Sequence, residues 1–200
     1  MSEFPTVTQY ASPDLIRAIA YEGHVPGADP RWAESGAPDQ PTYSRWCRHM
    51  CGIACLRMAL LARNGHAPTL FSLLDGAVKY GAYTEDPDTG AIRGLIYAPF
   101  ADYVRTDHGL TAEVHRSLPV PDLLAVLDAG RLALVSVHKE IRRPGQAAPG
   151  KGGHLVLATG RTGNAIHFRN PSGDTDDTRT ATLAADVFAD FYAERAVSIA

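Results

Sequence analysis

Residues 46–61 read WCRHMCGIACLRMALL and place three cysteines within nine positions, directly before an apolar run. From Cys51 to Arg63 almost every residue is apolar, and Asn64 and Gly65 follow as a stop signal for a helix. A helix that is apolar around its whole circumference has to be covered by other elements. The stretch therefore predicts a buried helix that begins at Cys51 and lies at the centre of the fold.

The segments around this helix predict a domain of the α+β class. Residues 1–42 are rich in Pro, Gly and Asp and predict an N-terminal extension that wraps around a domain formed by residues 43–200. Helices are predicted over 14–21, 70–79, 98–106, 121–128 and 184–191, and a short strand over 111–115. The runs LALVSVH, HLVLATG, AIHFR and RAVSIA in the second half predict strands. Helices followed by antiparallel strands predict that the Cys51 helix packs against a C-terminal sheet.

The composition argues against several classes of partner. The chain of 200 residues is 45% hydrophobic and 20% charged, which suits one globular domain with its own core. Its formal net charge of −3 leaves no broad basic surface for a nucleic-acid backbone. Neither a secretory signal nor a run of about 18 apolar residues is present, so we expect a cytoplasmic protein that does not bind a membrane.

Cys51 is the predicted nucleophile among the three cysteines. A thiolate is favoured at the positive end of a helix and beside a cationic imidazole, where the pKa of the thiol falls. Gly52 follows immediately and is predicted to let a substrate backbone approach the sulfur. Cys47 and Cys55 are interpreted as a loop thiol and a small core residue, because free cysteines are commonly buried.

The second half of the chain offers a base and an orienting group in one predicted hairpin. If the strands pair about Thr162, opposite residues have numbers that sum to about 324, and His154 faces Asn170. Asn170 can then hold one ring nitrogen of His154 and leave the other for the sulfur. The alternation of side chains puts His167 on the other face of the sheet, which disfavours it as the base. Four apolar residues share the face of His154: Val156, Ala158, Ile166 and Phe168.

These residues resemble a known family. The strings CGIACLRMALL, GGHLVL and RNPSG are together similar to the papain-like, bacteriocin-processing cysteine peptidase domains, which cut leader peptides after a double glycine. The resemblance covers roughly residues 43–200. It implies the papain-like fold, a peptide substrate and a triad of Cys51, His154 and Asn170, and it makes Gly52 and Gly153 candidate substrate-binding residues.

Two positions depart from the family pattern. The family has Asp where this chain has Asn170, although the wider papain-like group uses Asn in that role. The family also has a Gln six residues before the nucleophile, which donates to the oxyanion, whereas this chain has Arg45 there. The guanidinium of Arg45 is a candidate replacement, and Gln40 is a second candidate if its loop folds back.

A metal site is the competing interpretation of the cysteines. The spacing CxxxCxxxC could hold a metal with His49 as a fourth ligand, but no second pair of closely spaced cysteines exists. We therefore expect no metal and no cofactor. The loop KEIRRPGQAAPGKGG before His154 reads as a solvated loop or as a lid beside the site.

Three functions remain open from the sequence. The first is a cysteine hydrolase that cleaves a peptide or amide bond through an acyl-enzyme, for example to remove a leader in peptide natural-product biosynthesis. The second is an acyltransferase or cyclase that uses the same triad on the thioester of a carrier protein. The third is a domain that binds a leader peptide without catalysis.

Overall fold

The computed structural model describes residues 4–200, and it contains the predicted helices and strands together with elements that the sequence reasoning missed. The helices are α1 (Ile16–Tyr21), α2 (Gln40–Trp46), α3 (Cys51–Asn64), α4 (Leu70–Lys79), α5 (Tyr97–His108), α6 (Val120–Asp128), α7 (Asp176–Arg179) and α8 (Ala185–Ala189). The strands are β1 (Thr84–Glu85), β2 (Ile92–Arg93), β3 (Ala112–His115), β4 (Leu132–Val137), β5 (His154–Thr162), β6 (Ala165–Arg169), β7 (Thr180–Ala184) and β8 (Tyr192–Ile199). The missed elements are α2, α7, β1, β2 and β7. Within this part of the chain no helix has the length and apolar character needed to span a membrane.

The predicted α+β architecture is confirmed. Strands β3 to β8 form one antiparallel sheet in the order β3-β8-β4-β5-β6-β7, and α3 packs on β5 and β4 at its centre. Helix α3 begins at Cys51 as predicted, and its residues from Gly52 to Leu60 are almost all buried. It ends where Gly65 adopts a left-handed conformation (φ 74°) and its N–H donates to the carbonyl of Leu61 over 3.0 Å.

The sheet is covered on both faces because its central strands alternate between two apolar cores. Leu155 and Leu157 point to the core around α3, which also receives α4 and α5. Val156 and Ala158 point to a second core, which α6 and α8 cover on the other face. Strand β5, which starts at His154, is therefore held from both sides.

The N-terminal segment packs into the same core as α3. Four of its apolar residues are buried there: Val7, Tyr10, Ile16 and Ile19. The buried carboxylate of Asp29 ties the segment together, since it accepts hydrogen bonds from the hydroxyls of Ser12 (2.6 Å) and Tyr43 (2.7 Å). Tyr43 lies on α2, a helix that the sequence reasoning missed. The carboxylate of Asp39 caps α2 by accepting from the N–H of Thr42.

The pairing of β5 with β6 differs from the predicted register. The turn consists of Gly163 and Asn164 rather than lying about Thr162, so that Thr162 pairs with Ala165. Gly163 has a φ of 58°, and glycine at the first central position is typical of a two-residue hairpin loop. An irregularity between Ala158 and Gly160 then shifts the register by one more residue.

A Gly76→Ala variant, which adds one methyl group to α4, tests the packing of α4 against α5. Helix α5 begins at Tyr97, which borders the site. A Cβ at Gly76 would lie 2.5 Å from the hydroxyl oxygen and 2.6 Å from the ring of the buried Tyr103 on α5. Helix propensity alone favours alanine over glycine by about 1 kcal/mol. We expect Gly76→Ala nevertheless to lower the free energy of unfolding by about 1 kcal/mol, because overpacking of a buried ring costs more. Urea denaturation measures this, and the exposed Ser72→Ala on the same helix is the control. Stabilisation by Gly76→Ala would contradict the described packing.

Candidate active site

Cys51 and His154 border the same open cavity of about 560 Å³. Cys51 lies at the first turn of α3, and His154 is the first residue of β5. The segment from Gly94 to Ala98 forms one wall, and the neighbouring ends of β3, β4 and β8 form the other. The fold thus brings together two residues that lie about a hundred positions apart in the sequence.

The wall formed by residues 94–98 is attached to the backbone that precedes the nucleophile. The hydroxyl of the buried Tyr83 donates to the carbonyl of His49 over 3.1 Å. Gly94 packs directly on the ring of Tyr83, where any side chain would collide with it. The N–H of Ile96 also donates to the carbonyl of Ala82 over 2.8 Å. This wall and the start of α3 therefore form one packed unit.

The structure separates the three cysteines by exposure. Cys51 is half-buried and borders the cavity, whereas Cys47 and Cys55 are fully buried. The thiol of Cys55 contacts the carbonyl of Leu155 at 3.8 Å, and that of Cys47 contacts the carbonyl of Ser44 at 3.7 Å. Burial raises the pKa of Cys47 to about 12. Only Cys51 among them is accessible to a molecule in the cavity.

The side chains of His154 and Asn170 are hydrogen-bonded to each other, as the sequence predicts. The Nε2 of His154 lies 2.9 Å from the Oδ1 of Asn170, and both residues are buried. The ladder does not pair them, because the observed register differs from the predicted one. Their contact arises instead because Asn170 follows the last residue of β6 and its amide reaches back to the start of β5.

Ser172 fixes which atom of Asn170 faces the imidazole. The backbone N–H of Ser172 donates to Oδ1 over 3.0 Å, and its hydroxyl donates to the same oxygen over 3.3 Å. A backbone N–H can only donate, so the atom that it contacts has to be the amide oxygen. The Nε2 of His154 therefore carries the proton that Oδ1 accepts, and the Nδ1 of the neutral ring keeps its lone pair.

Burial decides the protonation states of the pair. Burial lowers the pKa of His154 from 6.5 to about 4, while its hydrogen bond to Asn170 opposes this shift and electrostatic interactions with Arg142 and His138 add to it. Burial also raises the pKa of Cys51, although the N–H groups of Leu155 and Gly52 oppose this. The expectation that the helix start lowers the pKa of Cys51 was therefore wrong for the free site, because loss of hydration outweighs the helix end. The cavity is therefore bordered by a neutral thiol and a neutral imidazole.

Arg45 and Gln40 do not border the cavity. The guanidinium of Arg45 forms an ion pair with Glu85 and donates to the carbonyl of Gly90 over 3.1 Å, which attaches α2 to the β1–β2 hairpin. The amide of Gln40 donates to the carbonyl of Gly27. Both side chains are exposed and have partners on the outside of the fold. Their positions do not favour the predicted oxyanion role.

Gly52 and Gly153 have different surroundings. A Cβ on Gly52 would lie 2.9 Å from Leu95 and 3.0 Å from Leu155. The absent side chain is thus needed for packing between α3, β5 and the 94–98 wall. Gly52 is buried and does not line the cavity, and the access of a substrate backbone there stays a prediction. Gly153 is exposed, borders the cavity and has φ 91°, with open space where a side chain would be. It remains a candidate substrate-binding residue.

Two residues beside the pair were missed by the sequence reasoning. Ser172 belongs to the quoted string RNPSG, and its small polar side chain after Asn170 was the signal that could have identified it. Arg142 lies in the segment that was interpreted as a solvated loop or lid, yet it is buried and donates to the carbonyl of Ser172 over 3.1 Å. Nothing in its sequence context signals that contact. His167 instead contacts the hydroxyls of Thr162 and Thr182, away from the cavity.

The cysteine cluster does not form a metal-binding group. In the described residues, 4–200, no three His, Cys, Asp or Glu side chains are arranged so that they could hold a metal ion. Cys47, Cys51 and Cys55 point to different surroundings, and His49 does not border the cavity. The arrangement that the residues do form is a thiol and an oriented imidazole at one cavity.

The low pKa of His154 predicts a specific dependence of stability on pH. The unfolded chain binds a proton at this histidine below about pH 6.5, and the folded protein binds it only near pH 4, so stability falls as the pH drops through this window. Between pH 7.5 and 4.5 this group alone should cost about 2.5 kcal/mol. Urea denaturation at the two pH values measures the loss. Because glutamine does not titrate, the loss of stability between the two pH values should be smaller in His154→Gln than in the wild type by about 2.5 kcal/mol. Equal losses in the two proteins would refute the buried neutral state of His154.

Arg45 provides a test of the oxyanion assignment. Because its side chain is engaged with Glu85 and Gly90, we expect Arg45→Ala to change the turnover rate less than tenfold. Loss of an oxyanion donor would instead cost about two to three orders of magnitude. The exposed Arg17→Ala serves as a control for the loss of one charge. A drop in the turnover rate of a hundredfold or more in Arg45→Ala alone would restore Arg45 as a donor.

Comparison with known proteins identifies the fold. No protein-family model matches the sequence, and no curated protein matches it. The peptidase domain of Streptococcus ComA, a bi-functional ABC transporter involved in quorum sensing, is 11% identical and superposes with a TM-score of 0.50 over 76% of this chain and 92% of that domain. A C39-like peptidase from Bacillus anthracis is 13% identical, with a TM-score of 0.50 over 76% and 88% of the two chains.

A double glycine motif protease from an AMS/PCAT transporter, solved in complex with its leader peptide, is also similar. It is 16% identical, with a TM-score of 0.47 over 74% of this chain and 82% of that protein. At these identities the comparisons concern the fold and not the activity. The six-stranded sheet with α3 packed on its centre is the fold of the C39-like, papain-like peptidase domains, as the sequence predicted.

Proposed function

We propose that this protein is a papain-like cysteine peptidase that uses Cys51, His154 and Asn170 as a catalytic triad. The observation that carries the proposal is the hydrogen bond between His154 and Asn170, with the amide oriented by Ser172, at a cavity that Cys51 also borders. Such an arrangement leaves one ring nitrogen free to accept the proton of the thiol. A core histidine without a role would not require an oriented partner and an accessible sulfur together.

The reaction follows from these groups. The Nδ1 of His154 accepts the thiol proton of Cys51 as the sulfur attacks the carbonyl carbon of the substrate, which gives a tetrahedral oxyanion. The C–N bond then breaks, and the leaving amine takes the proton from His154. Water attacks the resulting thioester with His154 as the base, which releases the acid and restores the thiol. Asn170 keeps the ring in the orientation that both proton transfers need.

The first turn of α3 provides the oxyanion donor that we assign. The N–H groups at the start of a helix have no partner within the helix, and the N–H of Cys51 belongs to this turn. It can donate to an oxygen that forms next to the Cys51 sulfur, together with the partial positive charge of the helix end. We propose this backbone group in place of the side chains of Arg45 and Gln40.

The substrate that suits this site is a peptide. The folds that it matches with a TM-score of 0.50 are those of peptidases, and residues 43–200 correspond to the catalytic domain that we propose, with 1–42 as an extension of it. The cavity is open, so a chain segment can enter from either side of Cys51. Removal of a leader during the biosynthesis of a peptide natural product is the specific process that we propose.

Intact-protein mass spectrometry tests the proposal through the covalent intermediate. Incubation with candidate peptides and, separately, with acyl thioesters should add an acyl group to the wild-type protein and none to Cys51→Ala. His154→Ala should reduce the rate of acylation about as strongly as Cys51→Ala, because residues that act as one unit give non-additive losses. Asn170→Asp should retain more activity than Asn170→Ala, because it keeps an acceptor for the Nε2–H of His154 and for Ser172.

A matched variant separates the triad from the fold. His167→Ala removes another histidine of the same hairpin, one whose partners are threonine hydroxyls, and should leave the rate of acylation within a few-fold of wild type. An inactive His167→Ala together with an active His154→Ala would refute the assigned base. Acylation by thioesters but never by peptides would refute a peptidase and favour an acyltransferase with the same triad.

A further inference from the structure

One corner of the cavity carries positive charge and has no acidic residue in its lining. Arg116 and Arg195 both border the cavity and both are exposed, and none of the residues that line the cavity is Asp or Glu. No ion pair within residues 4–200 involves either guanidinium. Ser136 and Tyr97 lie between these two arginines and His154. We call the four residues Arg116, Arg195, Ser136 and Tyr97 the cationic corner.

The two arginines lie directly beyond the last residue pair of the β3–β8 ladder. Strand β3 pairs with β8 so that His115 lies opposite Ala196, and the next residues along the two strands are Arg116 and Arg195. An anion that reached both guanidiniums would form charge-assisted hydrogen bonds with each of them.

A bulge in β8 directs Arg195 to the cavity. Val137 pairs with Tyr192 and Val135 pairs with Ala196, so that Ser136 alone faces the three residues from Ala193 to Arg195. Within the bulge Glu194 has a φ of 53°, which is unfavourable for a residue with a side chain, and its carbonyl accepts from the N–H of Leu118 over 2.7 Å. Bulges that redirect a side chain are frequent next to active sites.

The guanidinium of Arg195 lies close to Gly152, two residues before the proposed catalytic histidine. A Cβ at Gly152 would lie 3.1 Å from the Nη2 of Arg195 and 3.1 Å from the hydroxyl of Ser136. Gly152 is separated from His154 only by Gly153, which is exposed to the cavity. The charge of Arg195 also acts on the hydroxyl of Tyr97, which is hydrogen-bonded to Ser136. In a bound peptide, an anionic group in this corner would thus be only one or two residues away from the carbonyl that Cys51 attacks.

We propose that the cationic corner binds a carboxylate of the substrate and makes the enzyme selective for acidic peptides. The inference rests on the proposed function, since it assigns the substrate class of the same site. Arg195 is the main specificity-determining residue, and Arg116 supports it from β3. The carboxylate belongs either to the free C-terminus of a short peptide or to an acidic side chain within one or two residues of the scissile bond.

Matched alkylating probes test the inference without requiring turnover. N-iodoacetyl-glycine and N-iodoacetyl-glycylglycine carry a carboxylate at two distances from the reactive carbon, and their C-terminal amides are the neutral controls. In each case the sulfur of Cys51 forms the C–S bond, iodide leaves and the thiol proton is released. Intact mass and peptide mapping give the rate at Cys51. For at least one length we expect the acid to react about tenfold faster than its amide at low ionic strength.

Charge-removing variants assign the effect to the corner. Arg195→Gln should reduce the acid-to-amide rate ratio to about one, and Arg116→Gln should reduce the ratio part of the way. Arg63→Gln removes the same charge at the far end of α3 and should keep the wild-type ratio. N-iodoacetyl-aspartic α-amide, with a side-chain carboxylate only, distinguishes an acidic side chain from a free C-terminus as the preferred group.

The outcomes separate this inference from the proposed function. A ratio near one for both probe lengths in the wild type would overturn the carboxylate site, as would a ratio that persists in Arg195→Gln or falls equally in Arg63→Gln. Absence of labelling at Cys51 by every probe would instead overturn the proposed function. Because Arg195 is exposed, we expect its variant to melt at the wild-type temperature, and thermal denaturation checks that the fold is intact.

Discussion

The fold depends on the need to cover α3, a helix without a polar face. Its residues from Gly52 to Leu60 are almost all buried, so the sheet, the other helices and the N-terminal segment all pack around it. Burial of several large apolar side chains stabilises such a core by about 1.5–3 kcal/mol each, which no surface contact approaches. The same packing puts Cys51, the first residue of α3, against the start of β5. Chemistry and stability therefore share one element.

Burial also sets the electrostatics of the site. It lowers the pKa of His154 to about 4 and raises that of Cys51, so the free site holds an uncharged pair. In the mechanism that we propose, the imidazole accepts the thiol proton and charge develops only as the sulfur attacks the substrate. Asn170 accepts from His154 without adding a charge of its own, which suits a base that is kept neutral.

The sequence predicted the parts of this site that follow from local pattern. The extent of α3 and the strands β4, β5, β6 and β8 follow from apolar periodicity and residue types, whereas the contact of His154 with Asn170 was predicted from a hairpin register that the structure does not have. The register of β5 with β6 could not be predicted, because it depends on a two-residue turn and an irregularity near Thr159. The sequence could not predict the partner of Arg45 on the β1–β2 hairpin or the neighbours of Gly52 either, because both are contacts between distant segments.

The attachment of the 94–98 wall to the backbone before Cys51 limits how the cavity can adapt. Tyr83 links the carbonyl of His49 to Gly94, so displacement of this wall would also displace the nucleophile. The opposite side is bordered by the exposed Gly153 and by the end of the segment that precedes it. A bulky molecule in the cavity would therefore be accommodated on the side of the exposed Gly153, while the wall and the start of α3 keep their positions.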